Sequence, residues 1–166
     1  MATADQLFFA LKLFAALGCG LIAGVFFAFS SFVMSALARI QPAQGISAMQ
    51  SINVVVINPL FMVVFLGTAA ACLFLAGSSL FRWNQPGAAF LLVGGLLYLV
   101  GTFLVTMVFN VPLNDALAKV DPGNLGSASL WTSYVSRWTV WNHVRTVAAL
   151  AAAALFTLAL RRVSPH

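Results

Sequence analysis

Between Trp141 and Thr146 the chain reads WNHVRT, an asparagine, a histidine and an arginine in direct succession. His143 is the only internal histidine, and an imidazole is the side chain that exchanges a proton most readily near neutral pH. It is therefore the candidate general base. Arg145 and Asn142 carry N–H donors of the kind that hold a developing oxyanion, so the three form the candidate catalytic set. Amides elsewhere extend it as candidate substrate-binding groups: Asn110 and Asn114 in NVPLN, Asn53 closing GISAMQSIN, and Asn58 before Pro59. Trp138 offers a flat wall on Arg145's face.

Helical geometry orders these residues. At about 100° per residue, Trp138, Asn142 and Arg145 fall on one stripe with Tyr134 a turn earlier, and His143 lies round the helix with Thr139 and Thr146. In the preceding apolar run Tyr98, Thr102, Thr106 and Asn110 form a row. If a helix runs through Pro59, the Val55 carbonyl loses its partner and becomes a free acceptor.

Each candidate also has a plainer role. Arg145 can snorkel to the interface, and His143 can bond to a loop there. Trp131, Trp138 and Trp141 suit an interfacial aromatic belt, and Asn110 and Asn114 can cover backbone loosened by Pro112. These alternatives stay open at the level of sequence.

Some chemistries lack their ingredients. Cys19 and Cys72 sit singly in apolar runs, which speaks against a redox CxxC or a zinc site; two buried small residues are expected, facing each other or not. There is no glutamate, and the aspartates are Asp5, Asp115 and Asp121, so a carboxylate-bridged di-iron site is excluded. No metal site and no cofactor is expected.

The elements that must position these groups are apolar. Of 166 residues 62% are hydrophobic and 7% charged, with mean hydropathy +1.02; a soluble domain carries about 25% charge. This is a membrane protein of one domain. The net charge of +5 does not imply nucleic acid, because Lys12, Arg39, Arg82, Lys119, Arg137, Arg145, Arg161 and Arg162 are scattered near helix ends as anchors. The first eleven residues hold no lysine or arginine, so a cleavable leader is not expected.

Spans are expected at about 7–37, 54–77, 87–109 and 144–160, each near the 20 residues that cross a bilayer. The fold class is an all-α membrane protein, an up-and-down bundle of four transmembrane helices. Ile46, Met49, Ile52 and Val56 mark an amphipathic lead-in to the second span, and short helices are expected in the third connector, one after Pro112 and one from Ser127. Ala16, Gly20, Gly24 and Ala28 form a small-residue stripe suited to close helix packing. The topology gathers Arg39, Asn53, Asn58, Asn110, Asn114, Asp115, Asn142, His143 and Arg145 at one membrane end, built from the 38–53 and 110–143 connectors.

Several words of this sequence resemble the anthrone-oxygenase-like family of small four-span membrane proteins. They are G-x-x-x-G followed by FFAFSSFVM at 26–34, GISAMQSIN at 45–53, NVPLN at 110–114 and WTVWNHVRT at 138–146. The resemblance implies a cofactor-independent oxygenase acting on an anthrone-like or phenolic hydrophobic substrate with O₂. His143 would then be the base, Arg145, Asn142, Asn110 and Asn114 the anion-holding donors, and Trp138 a wall. The competing expectation is a non-catalytic membrane module binding a lipid, a quinone or a partner protein; a third is a haem protein ligated by His143. Basic residues divide evenly between the two sides, and Arg161 and Arg162 after the last span favour cytoplasmic termini in a bacterial inner membrane. No oligomeric state is implied.

Overall fold

The computed structural model describes residues 2–124 and 126–161; Arg162 lies outside the described residues. Helix α1 (Ala2–Ala28) runs through a π-helical stretch, Phe29–Val33, into α2 (Met34–Arg39). Helices α3 (Pro42–Val55) and α4 (Pro59–Phe81) follow. Helix α5 (Ala88–Leu96) continues through π-helical Leu97–Leu104 and Thr106–Asn110 into α6 (Val111–Ala118), and α7 (Ser127–Leu160) closes the chain. Four helices are long and apolar enough to cross a membrane: Thr3–Arg39, Pro59–Phe81, Ala88–Ala118 and Ser127–Leu160. The expected all-α, four-span bundle is the fold, and this is a multi-pass membrane protein.

Length makes the spans unequal. At 1.5 Å per residue, the 34 residues of α7 reach about 51 Å, against a hydrocarbon core of about 30 Å. The first and third spans overshoot likewise, with 37 and 31 residues, whereas the second has 23. The surplus forms a second layer of packing. One apolar cluster lies within the bundle, around Cys19, Ile22, Phe65, Leu75, Tyr98, Ala152 and Phe156. The other joins Met34, Ile46, Met49, Leu117, Trp131, Tyr134 and Trp138, where α3 and α6 fold against α2 and the first half of α7. Ile46 and Met49 are fully buried there and Ile52 packs at its edge, as the amphipathic lead-in requires. Outside, large side chains such as Phe27, Leu60, Phe74, Val147 and Leu150 are exposed, the surface that lipid rather than water must cover.

Three local expectations change. The third connector holds one short helix, α6, not two: residues from Ser127 join the last span without a break, because 127–160 contain neither glycine nor proline. No helix runs through Pro59: α3 ends at Val55 and α4 starts afresh with Pro59 in its first turn. Asn58 caps that start, its Oδ1 accepting from Phe61 N–H and its Nδ2 donating to the Val55 carbonyl at 3.0 Å. The Val55 carbonyl is therefore not free. Thirdly, the small-residue stripe is not the packing face. A Cβ on Gly20 or Gly24 would meet nothing within 4 Å, whereas one on Gly101 would come within 2.5 Å of Ala148 Cβ and one on Gly95 within 2.8 Å of the Cys72 carbonyl. Ala15, Cys19, Ile22 and Phe26 carry the buried face of α1, a stripe at the helical period that leaves Gly20 and Gly24 outside.

These contacts separate two superficially similar changes. Gly101→Ala wedges a methyl between the third and fourth spans and should cost about 1–3 kcal/mol, while Gly20→Ala should stay within about 0.5 kcal/mol of the parent. Unfolding of the detergent-solubilised protein measures both.

Candidate functional site

Between the two apolar clusters lies a layer of polar side chains, and Arg145 is its centre. On α7, Trp138, Asn142 and Arg145 share the stripe that helical spacing dictates, and all three are buried, Arg145 to 4% exposure. It does not snorkel. A charge at such depth is expensive unless it is held by partners. Nη2 donates to Asn142 Oδ1 at 2.6 Å and Nη1 to Thr106 Oγ1 at 3.3 Å. The guanidinium lies over Phe26 at 4.1 Å and Trp138 at 5.0 Å from the ring centroids, where aromatic faces attract a cation. Among the described residues no carboxylate pairs with it; Asp115 and Asp121 are exposed.

Neighbouring spans supply the rest. Asn142 Nδ2 donates to the Phe26 carbonyl at 2.7 Å and to Ser30 Oγ at 2.6 Å, where the first span widens into its π-helical stretch. Such wide turns interrupt the regular backbone ladder and recur at functional sites. The third span is π-helical over the row the spacing marked: Thr102 Oγ1 donates to the Arg145 carbonyl, and Asn110 Nδ2 to the Trp138 carbonyl at 3.2 Å. From α6, Asn114 Oδ1 accepts from both Tyr134 Oη and Trp138 Nε1 at 2.9 Å. Asn53 on α3 faces the Tyr134 hydroxyl. The structure thus brings together Arg145, Asn142, Asn110, Asn114 and Trp138, with Asn53 at the outer end.

Two candidates stand apart. Asn58 spends both amide atoms on the α3–α4 junction and is a capping residue. His143 is two positions from Arg145, about 200° round the helix, and is exposed. It lines an open groove of about 280 Å³ with Met34, Ser35, Ala38, Val135, Ser136, Thr139 and Val140. Base and anion-holding donors therefore do not form one constellation, because a helix carries adjacent residues to different faces. Nor do the tryptophans form a belt: Trp131 and Trp138 are interior, while Trp141 stacks on Phe109 at 3.6 Å.

Sequence reasoning missed Ser30 and Phe26. A hydroxyl pair in FSSF within an apolar span was the available signal, but nothing in it says which serine turns inward. Buried polar atoms without a partner mark the same end of the bundle. Five of the six among the described residues are here, namely Arg145 Nε, Asn110 Oδ1, Thr139 Oγ1, Trp131 Nε1 and Asn53 Nδ2; buried polar groups are rarely left so. Cys19 and Cys72 lie deep in the other cluster with their sulfurs 4.0 Å apart, facing each other as buried thiols. Among the described residues no three His, Cys, Asp or Glu side chains gather as metal ligands.

The family model described as Anthrone oxygenase matches residues 61–155. That range includes Asn110, Asn114, Trp138, Asn142, His143 and Arg145, and leaves out the blocks at 26–34 and 45–53. No curated protein and no solved structure matches the chain. The network makes Asn142 the most sensitive polar residue: Asn142→Ala strips partners from Arg145, Ser30 and the Phe26 carbonyl, and should destabilise by at least about 2 kcal/mol. Asn58→Ala, the loss of one cap, should cost about 1 kcal/mol. Denaturant titration of both variants in detergent compares them.

Proposed function

The chain belongs to the anthrone oxygenase family, and we propose that it oxygenates a flat, weakly acidic, hydrophobic phenol or anthrone-like ketone within the membrane. The observation that carries this reading is the buried Arg145 guanidinium, which has no carboxylate partner among the described residues, is clamped by Phe26 and Trp138, and keeps an unpartnered Nε–H. A positive charge in a dry aromatic setting favours an anionic, planar ligand. At about 4 Å and an effective dielectric constant near 20, the attraction is about 4 kcal/mol, equivalent to lowering the substrate's pKa by about three units.

The chemistry then needs little more. The ketone or phenol gives its proton to interfacial water as it enters, and its anion settles against Arg145. The carbanion passes one electron to O₂, and the resulting radical and superoxide combine through a new C–O bond. The peroxide anion takes up a proton, then loses its remaining C–H proton as its O–O bond breaks, and hydroxide departs as a carbonyl forms. Overall, a CH₂ group and O₂ become C=O and H₂O. Electrons leave the substrate directly, so the protein's part is to hold the anion, exclude water and orient the ring. Asn142, Asn110, Asn114 and Trp138 serve those ends. His143 stays outside this constellation.

A second reading has its own support, for the same hydrogen bonds fasten three spans together, as a purely architectural polar lock in a binding module would. Oxygen uptake with a simple anthrone, measured on protein in lipid nanodiscs, separates the two. Arg145→Lys keeps the charge but loses the planar fork, and should lower turnover by about 10²-fold or more, with His143→Ala within about twofold of the parent. Unchanged turnover in a folded Arg145→Lys protein would sink the anion-holding role. Loss of turnover in a folded His143→Ala protein would return the base to His143 and move the reaction to the groove. No uptake by the parent protein would favour the binding module.

A further inference from the structure

The groove beside His143 is built of side chains that the buried network does not use. Hydroxyls on the apolar spans ordinarily return to a carbonyl of their own helix, as Ser31, Ser78, Thr106, Thr146 and Thr157 do at 2.5–2.8 Å. Ser35, Ser136 and Thr139 do not. Among the described residues these three make no hydrogen bond, and all face one groove with His143. Ser35, Ser136 and His143 are exposed there, whereas Thr139 Oγ1 is buried; two free hydroxyls and an imidazole fit a ligand rich in acceptor oxygens.

Charge and depth narrow its class. Residues 29–60 and 127–160 contain no aspartate or glutamate, and their exposed charges are Arg39 and Arg137, so the surroundings favour an anion. His143 directly precedes the apolar run of the fourth span, and Ala38 follows directly on the first span's run, expected to end at Leu37. The groove therefore lies where hydrocarbon gives way to lipid headgroups. Met34, Ala38, Val135 and Val140 make the rest of its wall apolar, and it opens to the outside of the bundle.

We propose that this groove binds an anionic phospholipid, its phosphate oxygens accepting from Ser35, Ser136 and His143 and one acyl chain lying along Met34, Val135 and Val140. Interfacial basic residues attract anionic lipid, and hydrogen bonds to a charged phosphate are stronger than those to a neutral acceptor. The proposal is independent of any oxidation at Arg145.

The test uses delipidated full-length protein, reincorporated into nanodiscs of phosphatidylcholine and phosphatidylglycerol in equal amounts, re-extracted and examined by native mass spectrometry. A single phosphatidylglycerol should be retained about tenfold over phosphatidylcholine. The Ser35→Ala/Ser136→Ala double variant should bring retention to parity, with its melting unchanged. Ser35→Thr/Ser136→Thr, which restores the hydroxyls, and Ser133→Ala, outside the groove, should both keep the preference. Equal retention of the two lipids by the parent chain, or an undiminished preference in the folded double alanine variant, would overturn the proposal.

Discussion

One buried cation organises this bundle. Arg145 lies at 4% exposure with no carboxylate beside it among the described residues, and the partners it has come from another residue on α7 or from a neighbouring span. Thr106 answers from the third span, Phe26 from the first, and Asn142 from one turn earlier on its own helix. Asn142 in turn is held by the Phe26 carbonyl and Ser30. Because hydrogen bonds have short range and direction, these contacts define how far the first and third spans slide along the fourth. Apolar packing alone discriminates such slides poorly, since lipid tails are as apolar as leucine.

The position of that layer follows from a mismatch of lengths. Three spans are much longer than the hydrocarbon is thick, and their surplus turns would stand in water with apolar faces bare. Helix α3, with Gly45 fitted against the Trp131 ring, and α6 cover those faces. The polar layer falls where this outer cluster meets the membrane cluster. An apolar molecule held there would be dissolved by its surroundings and still meet N–H donors, a combination that neither cluster offers by itself. The π-helical stretches fall at the same level on both spans that face Arg145.

His143 and Arg145 show how one short word serves two surfaces. WNHVRT places its asparagine and arginine inward and its histidine outward, toward an open groove. A single run of helix thus presents a buried cationic centre on one side and an imidazole beside free hydroxyls on the other. The family match covers the whole word, while its side chains divide by face.

Much of this was legible in the residues themselves. Hydropathy and length determined four spans and an all-helical membrane fold, because a bilayer admits few other ways to satisfy a backbone. The period of α7 determined that Trp138, Asn142 and Arg145 share a face, and the beat of Ile46 and Met49 determined that α3 packs rather than dangles. Spacing within one helix is a local property, so sequence carries it. What only the tertiary structure decided is which face meets which neighbour. It turned Arg145 inward rather than toward the interface, spent Asn58 on a cap, recruited Ser30 and Phe26 from more than a hundred residues away, and left His143 on the outside. Those outcomes depend on the rotation and register of whole helices against one another, set by the sum of many contacts between spans, and no single stretch of sequence contains that sum.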